Sequence, residues 1–285
     1  ITPASGVEQD FSSPVIYTVT SEDGIVTTKY TVSVSGQIRD FGFDEWETIK
    51  SSTSGSTEQY DVPKGLYGTS NPGIMTINEM FGSNLPELFS YTVSPVEGQS
   101  GKAAKLQTVY TYMFLNGMDF NALLGGLVPY VTAGSLFTGI FKTDMNNTLN
   151  STKFGVPFVG EPATFTGYYK YTPGTTYYNN KNEVVADKTD ECSIYAVLYE
   201  ELLDEENNNI PLNGDYNDPD LYIGSSKRIV MKAVLEDGTA KSDWTKFSIP
   251  FKLLEGKSYD ATKKYYLAIV CSSSAEGDYF MGAPG

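Results

Sequence analysis

Cys192-Ser-Ile-Tyr-Ala-Val-Leu-Tyr199 alternates two faces, with Ile194, Ala196 and Leu198 on one and Tyr195, Val197 and Tyr199 on the other. Period-two alternation of β-branched and aromatic residues marks a half-buried strand. The pattern returns from Arg228 to Leu235, then through Phe247, Ile249 and Phe251, and again through Tyr265, Leu267, Ile269 and Cys271. Residues 190–280 therefore read as four strands in series with almost no helical signal. Serial strands without intervening helices predict an all-β sandwich or jelly roll rather than a βαβ sheet.

Upstream, residues 103–112, 136–141 and 162–171 have the same strand-like character. Residues 116–132 are ambiguous, with a short helix expected near residues 120–124. Residues 65–73 read as a loop with a turn at Asn71-Pro-Gly73, and residues 204–220, rich in Asn and Asp, as a long exposed loop. At the N-terminus, Val15-Ile-Tyr-Thr-Val-Thr20 and Thr28-Lys-Tyr-Thr-Val-Ser-Val34 are two strands joined by Ser21-Glu-Asp-Gly24. Two strands are marginal alone, so this unit is expected to pair with something else. Ser35-Gly-Gln37 reads as a linker, dividing the chain into residues 1–36 and 37–285.

Composition narrows the chemistry. The 285 residues carry a formal charge of −15, which argues against nucleic acid and anionic membrane surfaces, because phosphate binding needs clustered Lys and Arg. There is no histidine, which excludes Ser-His-Asp and Cys-His catalysis and His-based zinc sites. Carboxylates, Tyr, Lys and oxygen-coordinated metals remain, calcium being the metal that suits an acidic chain. The most apolar stretch, residues 122–140, is interrupted by glycines and Pro129 and is not a membrane span. The opening Ile1-Thr-Pro-Ala-Ser-Gly reads as the start of a mature or trimmed chain. Cys192 and Cys271 both fall on expected strands: they bridge if those strands are neighbours in an oxidising compartment, and otherwise are small buried apolar residues.

Several segments together resemble one family. They include Phe43-Asp-Glu-Trp-Glu47, Thr69-Ser-Asn-Pro-Gly73, Gly134-Ser-Leu-Phe-Thr-Gly139, Gly167-Tyr-Tyr-Lys-Tyr-Thr-Pro-Gly174, Lys241-Ser-Asp-Trp-Thr-Lys-Phe-Ser-Ile-Pro-Phe251 and Lys263-Lys-Tyr-Tyr-Leu-Ala-Ile-Val-Cys-Ser-Ser-Ser274. The likeness is to the "putative carbohydrate metabolism domain" of secreted gut-bacterial proteins, over roughly residues 40–285. It implies a jelly-roll sandwich similar to carbohydrate-binding modules and carries over no catalytic residues. Residues 1–24 resemble the end of immunoglobulin-like, cadherin-like repeats in surface lipoproteins of Gram-negative gut bacteria. By resemblance, a further strand follows Gly282-Ala-Pro-Gly285. Trimming of the chain is the favoured explanation for its absence. Residues 1–36 filling the edge, and a protein partner adding a strand by β-augmentation, are the alternatives.

Candidate site residues follow from the aromatic pattern. Tyr168, Tyr169, Tyr171, Tyr177 and Tyr178 cluster around Pro173-Gly174, with Asn179, Asn180 and Asn182 following. Tyr rings suit the C–H faces of sugars and Asn side chains suit their hydroxyls, so Tyr169 and Tyr171 are the expected stacking platforms and Asn179 a hydroxyl partner. Ordinary packing of Tyr on a sheet is the competing reading. Asn71 lies on a small polar loop that either lines a pocket or is a structural turn. Asp44 and Glu45 are the expected ligands of a structural calcium, with a solvated edge as the alternative. Asp190-Glu191 and Glu200-Glu201 are adjacent carboxylate pairs, a weak pointer to glycoside hydrolysis. The leading expectation is non-catalytic glycan binding by a module of a surface or periplasmic lipoprotein. A carbohydrate-active enzyme and a strand-accepting assembly protein are the alternatives.

Overall fold

A computed structural model describes residues 1–7, 9, 15–32, 39–85, 87–124, 128–179, 181–277 and 280–281, the last two by backbone only. The linker expected at Ser35-Gly-Gln37, the side chain of Asn180 and the segment Gly282–Gly285 lie outside these residues. The chain separates into two compact units, Ile1–Gly42 and Phe43–Gly285.

In the first unit, Val15–Thr20 pairs antiparallel with Thr27–Val32. The turn between them closes through the Gly24 amide on the Ser21 carbonyl at 2.9 Å, with Gly24 at φ +73. Thr2 and Thr18 exchange two backbone hydrogen bonds, of 2.9 and 2.8 Å, giving the hairpin a third extended neighbour.

The second unit is an all-β sandwich around one antiparallel sheet. Its order runs Thr152–Phe154, Ser135–Phe141, Tyr265–Ser272, Ser193–Glu200, Ile229–Val234 and Lys252–Leu253, with Tyr67–Thr69 and Val156–Phe158 attached at the sides. All four alternating stretches expected downstream of Asp190 are strands. Val197 and Tyr199 join Phe137, Phe154, Leu212 and Val270 in the main core. Ala196 and Leu198, on the opposite face, are also fully buried. The central strand is thus covered on both sides, and each buried apolar side chain there contributes about 1.5–3 kcal/mol. Gly155, at φ +101, is needed in this core: a Cβ there would lie 2.6 Å from the Tyr199 hydroxyl, which donates to the Phe154 carbonyl at 2.6 Å. Ile194 is the register partner of Cys271, yet Cys192 and Cys271 are both free thiols. Burial pushes them up to about 11 and about 12.

The turn expected at Asn71-Pro-Gly73 is instead the start of a helix, Asn71–Phe81. Pro72 sits in its first turn, where the fixed φ of proline favours a helix and its missing N–H costs nothing. Ile74, Ile77, Asn78 and Phe81 fall at i, i+3, i+4 and i+7. Ile77 and Phe81 cover a second core of Met113, Leu115 and Val128. Asn71 is fully buried. Its amide donates to the carbonyls of Val93 at 2.8 Å and Asp61 at 3.1 Å, and its oxygen accepts the amides of Val93 at 2.9 Å and Thr92 at 3.0 Å. No part of it is left for a ligand, which corrects its assignment to a binding pocket.

Replacing Asn71 with Ala would strand these backbone groups away from water. Asn71→Ala is expected to lower unfolding stability by about 3 kcal/mol in a urea titration. A loss under about 1 kcal/mol would show that water restores their partners.

Candidate functional site

The five clustered tyrosines do not converge. Tyr168 through Tyr171 lie on Thr164–Tyr171, which forms a two-stranded ribbon with Lys241–Pro250. On this strand Tyr169 and Tyr171 turn inward and Tyr168 outward. Tyr169 is buried, its ring 6.3 Å from Phe247 and its hydroxyl donating to the Asp237 carbonyl at 2.9 Å. The Tyr171 hydroxyl donates to the Ser273 carbonyl at 3.0 Å. Both expected stacking platforms are therefore packing residues, because the pleat that exposes Tyr168 must bury its neighbours. Tyr177 is buried as well, and Tyr178 alone among the last pair has a partly open ring.

Tyr178 ends a row of rings that the sequence reading missed. Its ring centroid lies 5.9 Å from Tyr110. Tyr110 lies 5.8 Å from Tyr112, and Tyr112 lies 5.6 Å from Tyr130 and 6.1 Å from Phe114. Tyr110 and Phe114 are 38% and 58% exposed, so the row is open to solvent. The signal was local. Tyr110-Thr-Tyr-Met-Phe-Leu115 alternates, with Thr111, Met113 and Leu115 buried and Tyr110 and Phe114 outward.

Buried groups behind the row hold it in place. Asn121, 1% exposed, accepts the Met113 amide at 2.6 Å and donates to the carbonyls of Thr111, Val128 and Pro129 at 3.0–3.1 Å. One side chain thus fastens the Tyr110–Phe114 segment to the segment that presents Tyr130. Asp119 caps the short helix Phe120–Leu123 through the Ala122 amide at 3.0 Å, and its second oxygen accepts the Tyr130 hydroxyl at 2.9 Å. Burial, with this bond second, pushes the Tyr130 hydroxyl up and keeps it a donor. At the other end the Tyr110 hydroxyl donates to Asn182 Oδ1 at 2.9 Å. Asn182 reaches there from a turn at φ +61, a conformation that Asn tolerates. Asn179 sets that turn, its oxygen accepting the amides of Lys181 and Glu183 at 2.9 and 3.0 Å.

The arrangement offers open aromatic faces flanked by an amide and a carboxylate. It holds one carboxylate, Asp119, with both oxygens engaged, whereas glycoside hydrolysis needs two across a cleft.

The other expected residues lie elsewhere. Asp44 Oδ1 accepts the Lys102 amide at 3.0 Å and Glu45 pairs with Lys64 at 3.2 Å. Among the described residues no group of three or more acidic or Cys side chains gathers to hold a metal, so these two do not assemble a calcium cage. Glu200 and Glu201 pair separately with Lys263 at 2.8 Å and Lys264 at 3.8 Å. Only Glu201 lines the nearby cleft of about 280 Å³, whose walls include Phe158, Tyr259 and Tyr266. Asp190 and Glu191 likewise diverge, Asp190 buried and Glu191 exposed.

A knot of charge sits beside Tyr178. The Tyr177 hydroxyl donates to Glu276 at 2.8 Å, Lys188 pairs with the same carboxylate, and the Lys188 ammonium lies 4.6 Å from the Tyr177 ring centroid. Lys188, and Tyr177 after it, hold the Glu276 carboxyl below its usual range. Asp190 accepts Ser274 Oγ at 3.0 Å and the Glu191 amide at 2.9 Å, but burial pushes its carboxyl up to about 6.

A family profile described as "Putative carbohydrate metabolism domain" matches residues 42–285, and one described as "SGBP, N-terminal" matches residues 1–34. No curated protein matches the chain. A crystal structure described as a putative glycoside hydrolase from Bacteroides thetaiotaomicron VPI-5482 is similar at 32% identity and TM-score 0.64, covering 100% of this chain and 79% of that one. A second so described, from Bacteroides vulgatus ATCC 8482, is similar at 26% identity and TM-score 0.61, covering 86% and 92%.

Asp190 makes stability depend on pH with a definite sign. Its folded value of about 6 exceeds the usual 3.8, so the folded state binds the proton more tightly. Its contribution therefore falls as pH rises from about 4 to about 6 and stays low above, a cost of about 3 kcal/mol. Asp190→Asn keeps the acceptor without the charge. Relative to the parent it is expected to be near neutral at about pH 4 and more stable above about pH 7, as read by thermal melts across pH. An Asn variant destabilised at every pH would refute this account.

Proposed function

Since the chain belongs to the putative carbohydrate metabolism domain family, we propose that it binds carbohydrate without cleaving it, along the row Tyr178–Tyr110–Tyr112–Tyr130 with Phe114 at its side. The observation that carries this reading is the run of neighbouring rings, partly open to solvent and fixed from behind by Asn121. Sugar rings stack their C–H faces on such planes, and Asn182 and Asp119 at the two ends serve hydroxyl groups. The N-terminal match to a surface glycan-binding family supports a place at the cell envelope. The reading extends this to a surface or periplasmic lipoprotein of a glycan-utilisation system.

Hydrolysis is the second reading. The solved relatives are described as glycoside hydrolases, and Asp190 and Glu276 have carboxyls shifted in opposite directions, as an acid and a base require. Against it, Asp190 is 5% exposed and Glu276 is already held by Tyr177 and Lys188.

A glycan-array screen of the full chain, with calcium and again with EDTA, tests both the row and the calcium expected at Asp44 and Glu45. On the glycan found, Tyr112→Ala is expected to weaken binding about tenfold or more in calorimetry, equivalent to about 1.4 kcal/mol. Tyr169→Phe is expected to leave it unchanged. Unaltered affinity in Tyr112→Ala would remove the row from the reading. Release of reducing ends, abolished by Glu276→Gln, would replace binding with hydrolysis.

A further inference from the structure

The outward face of the ribbon formed by Thr164–Tyr171 and Lys241–Pro250 belongs to neither the row nor the charged knot. Register partners on an antiparallel pair share a face, so Thr166 stands beside Ser248 and Tyr168 beside Lys246. Tyr168 is 47% exposed, and Thr166, Lys170, Lys246 and Ser248 are exposed with it. The Lys170 ammonium lies 5.4 Å from the centroid of the half-buried Trp244 ring. The eight outward positions, 164, 166, 168, 170, 244, 246, 248 and 250, contain two lysines, two aromatics, three hydroxyl residues counting both threonines, and no carboxylate. In a chain with 35 acidic and 20 basic residues, that face departs from the rest of the surface. The nearest acid in sequence, Asp243, accepts the neighbouring Ser242 hydroxyl at 3.2 Å.

The inner side makes the face rigid. Gly167 sits directly over Phe247, where a Cβ would come within 2.6 Å of the ring, and Phe165 lies 5.0 Å from Phe247 on the same side. The absence of a side chain at Gly167 lets the phenyl ring lie across the strand, fixing the outward residues in place.

We propose that this face is a second carbohydrate site, specific for acidic sugar chains. Tyr168 and Trp244 present stacking surfaces, Lys170 and Lys246 pair with the anionic substituent, and Thr166 and Ser248 meet hydroxyls. Charge complementarity selects the ligand: a neutral chain leaves both lysines without a role, while a uronate or sulfate uses them beside an aromatic plane. The site is independent of the aromatic row.

Affinity electrophoresis of the full chain tests it, in gels holding polygalacturonate, dextran sulfate or neutral dextran. Retardation is expected in an acidic gel and not in dextran, weakened at least tenfold by K170Q/K246Q and by Tyr168→Ala, and unchanged by Tyr112→Ala. Binding of polygalacturonate alone assigns a carboxylate, and of dextran sulfate alone a sulfate. Equal binding of both polyanions, insensitive to Tyr168→Ala, would be ion exchange and overturn the proposal. So would no retardation in either acidic gel, or retardation that K170Q/K246Q leaves intact. Retardation lost in Tyr112→Ala but kept in K170Q/K246Q would return acidic binding to the row. Thermal melts of each variant confirm folding, which the exposure of Tyr168, Lys170 and Lys246 favours.

Discussion

Buried amide side chains replace missing sheet hydrogen bonds in the part of the molecule that carries the aromatic row. A carboxamide has both donors and acceptors, so one Asn satisfies N–H and C=O groups of segments that run outside any ladder. Asn71 does this for Thr92 and Val93. Asn78, a turn later on the same helix, exchanges two bonds with Phe89, at 2.9 and 3.0 Å. Asn121 does it for residues 111–113 and 128–129. The helix, the second core beneath it and the ring row above follow from these three anchors. Hydrophobic burial alone is non-directional and would not set where the rings stand.

The sandwich was legible because strand parity is a local property. Val197 and Tyr199, or Leu267 and Ile269, announce a buried face wherever they fall, and the sheet then only has to order them. The helix was hidden by Asn71-Pro-Gly73, which has turn chemistry on its face. Pro72 at the first turn and Ile74, Ile77 and Phe81 at helical spacing were the signals that outweigh it. At the site, parity correctly placed Tyr169 and Tyr171 together and opposite Tyr168. It did not say which side faced the core, because Tyr is at home on either. Tyr130 and Tyr178 reach Tyr110 and Tyr112 only through tertiary contacts spanning tens of residues, and no local pattern contains those.

Tyrosine serves two distinct ends in one chain. Tyr169, Tyr171 and Tyr199 turn inward and spend their hydroxyls on carbonyls of neighbouring strands, acting as bolts between layers. Tyr110, Tyr112 and Tyr178 keep part of each ring in solvent, on segments of two or three paired residues rather than in the main sheet. The central strand, buried on both faces, has no surface left to offer a ligand. Recognition therefore moves to short peripheral elements whose positions the rigid sheet and the amide anchors define.

The fixed spacing within the row has a consequence for what it measures. Rings anchored through a buried amide cannot slide to meet a ligand, so they act as a ruler. A short oligomer covers part of it and a longer one covers it all, each further residue joining an interaction already oriented by the last. Such a surface discriminates by chain length before it discriminates by monomer, favouring a polymer over its breakdown products.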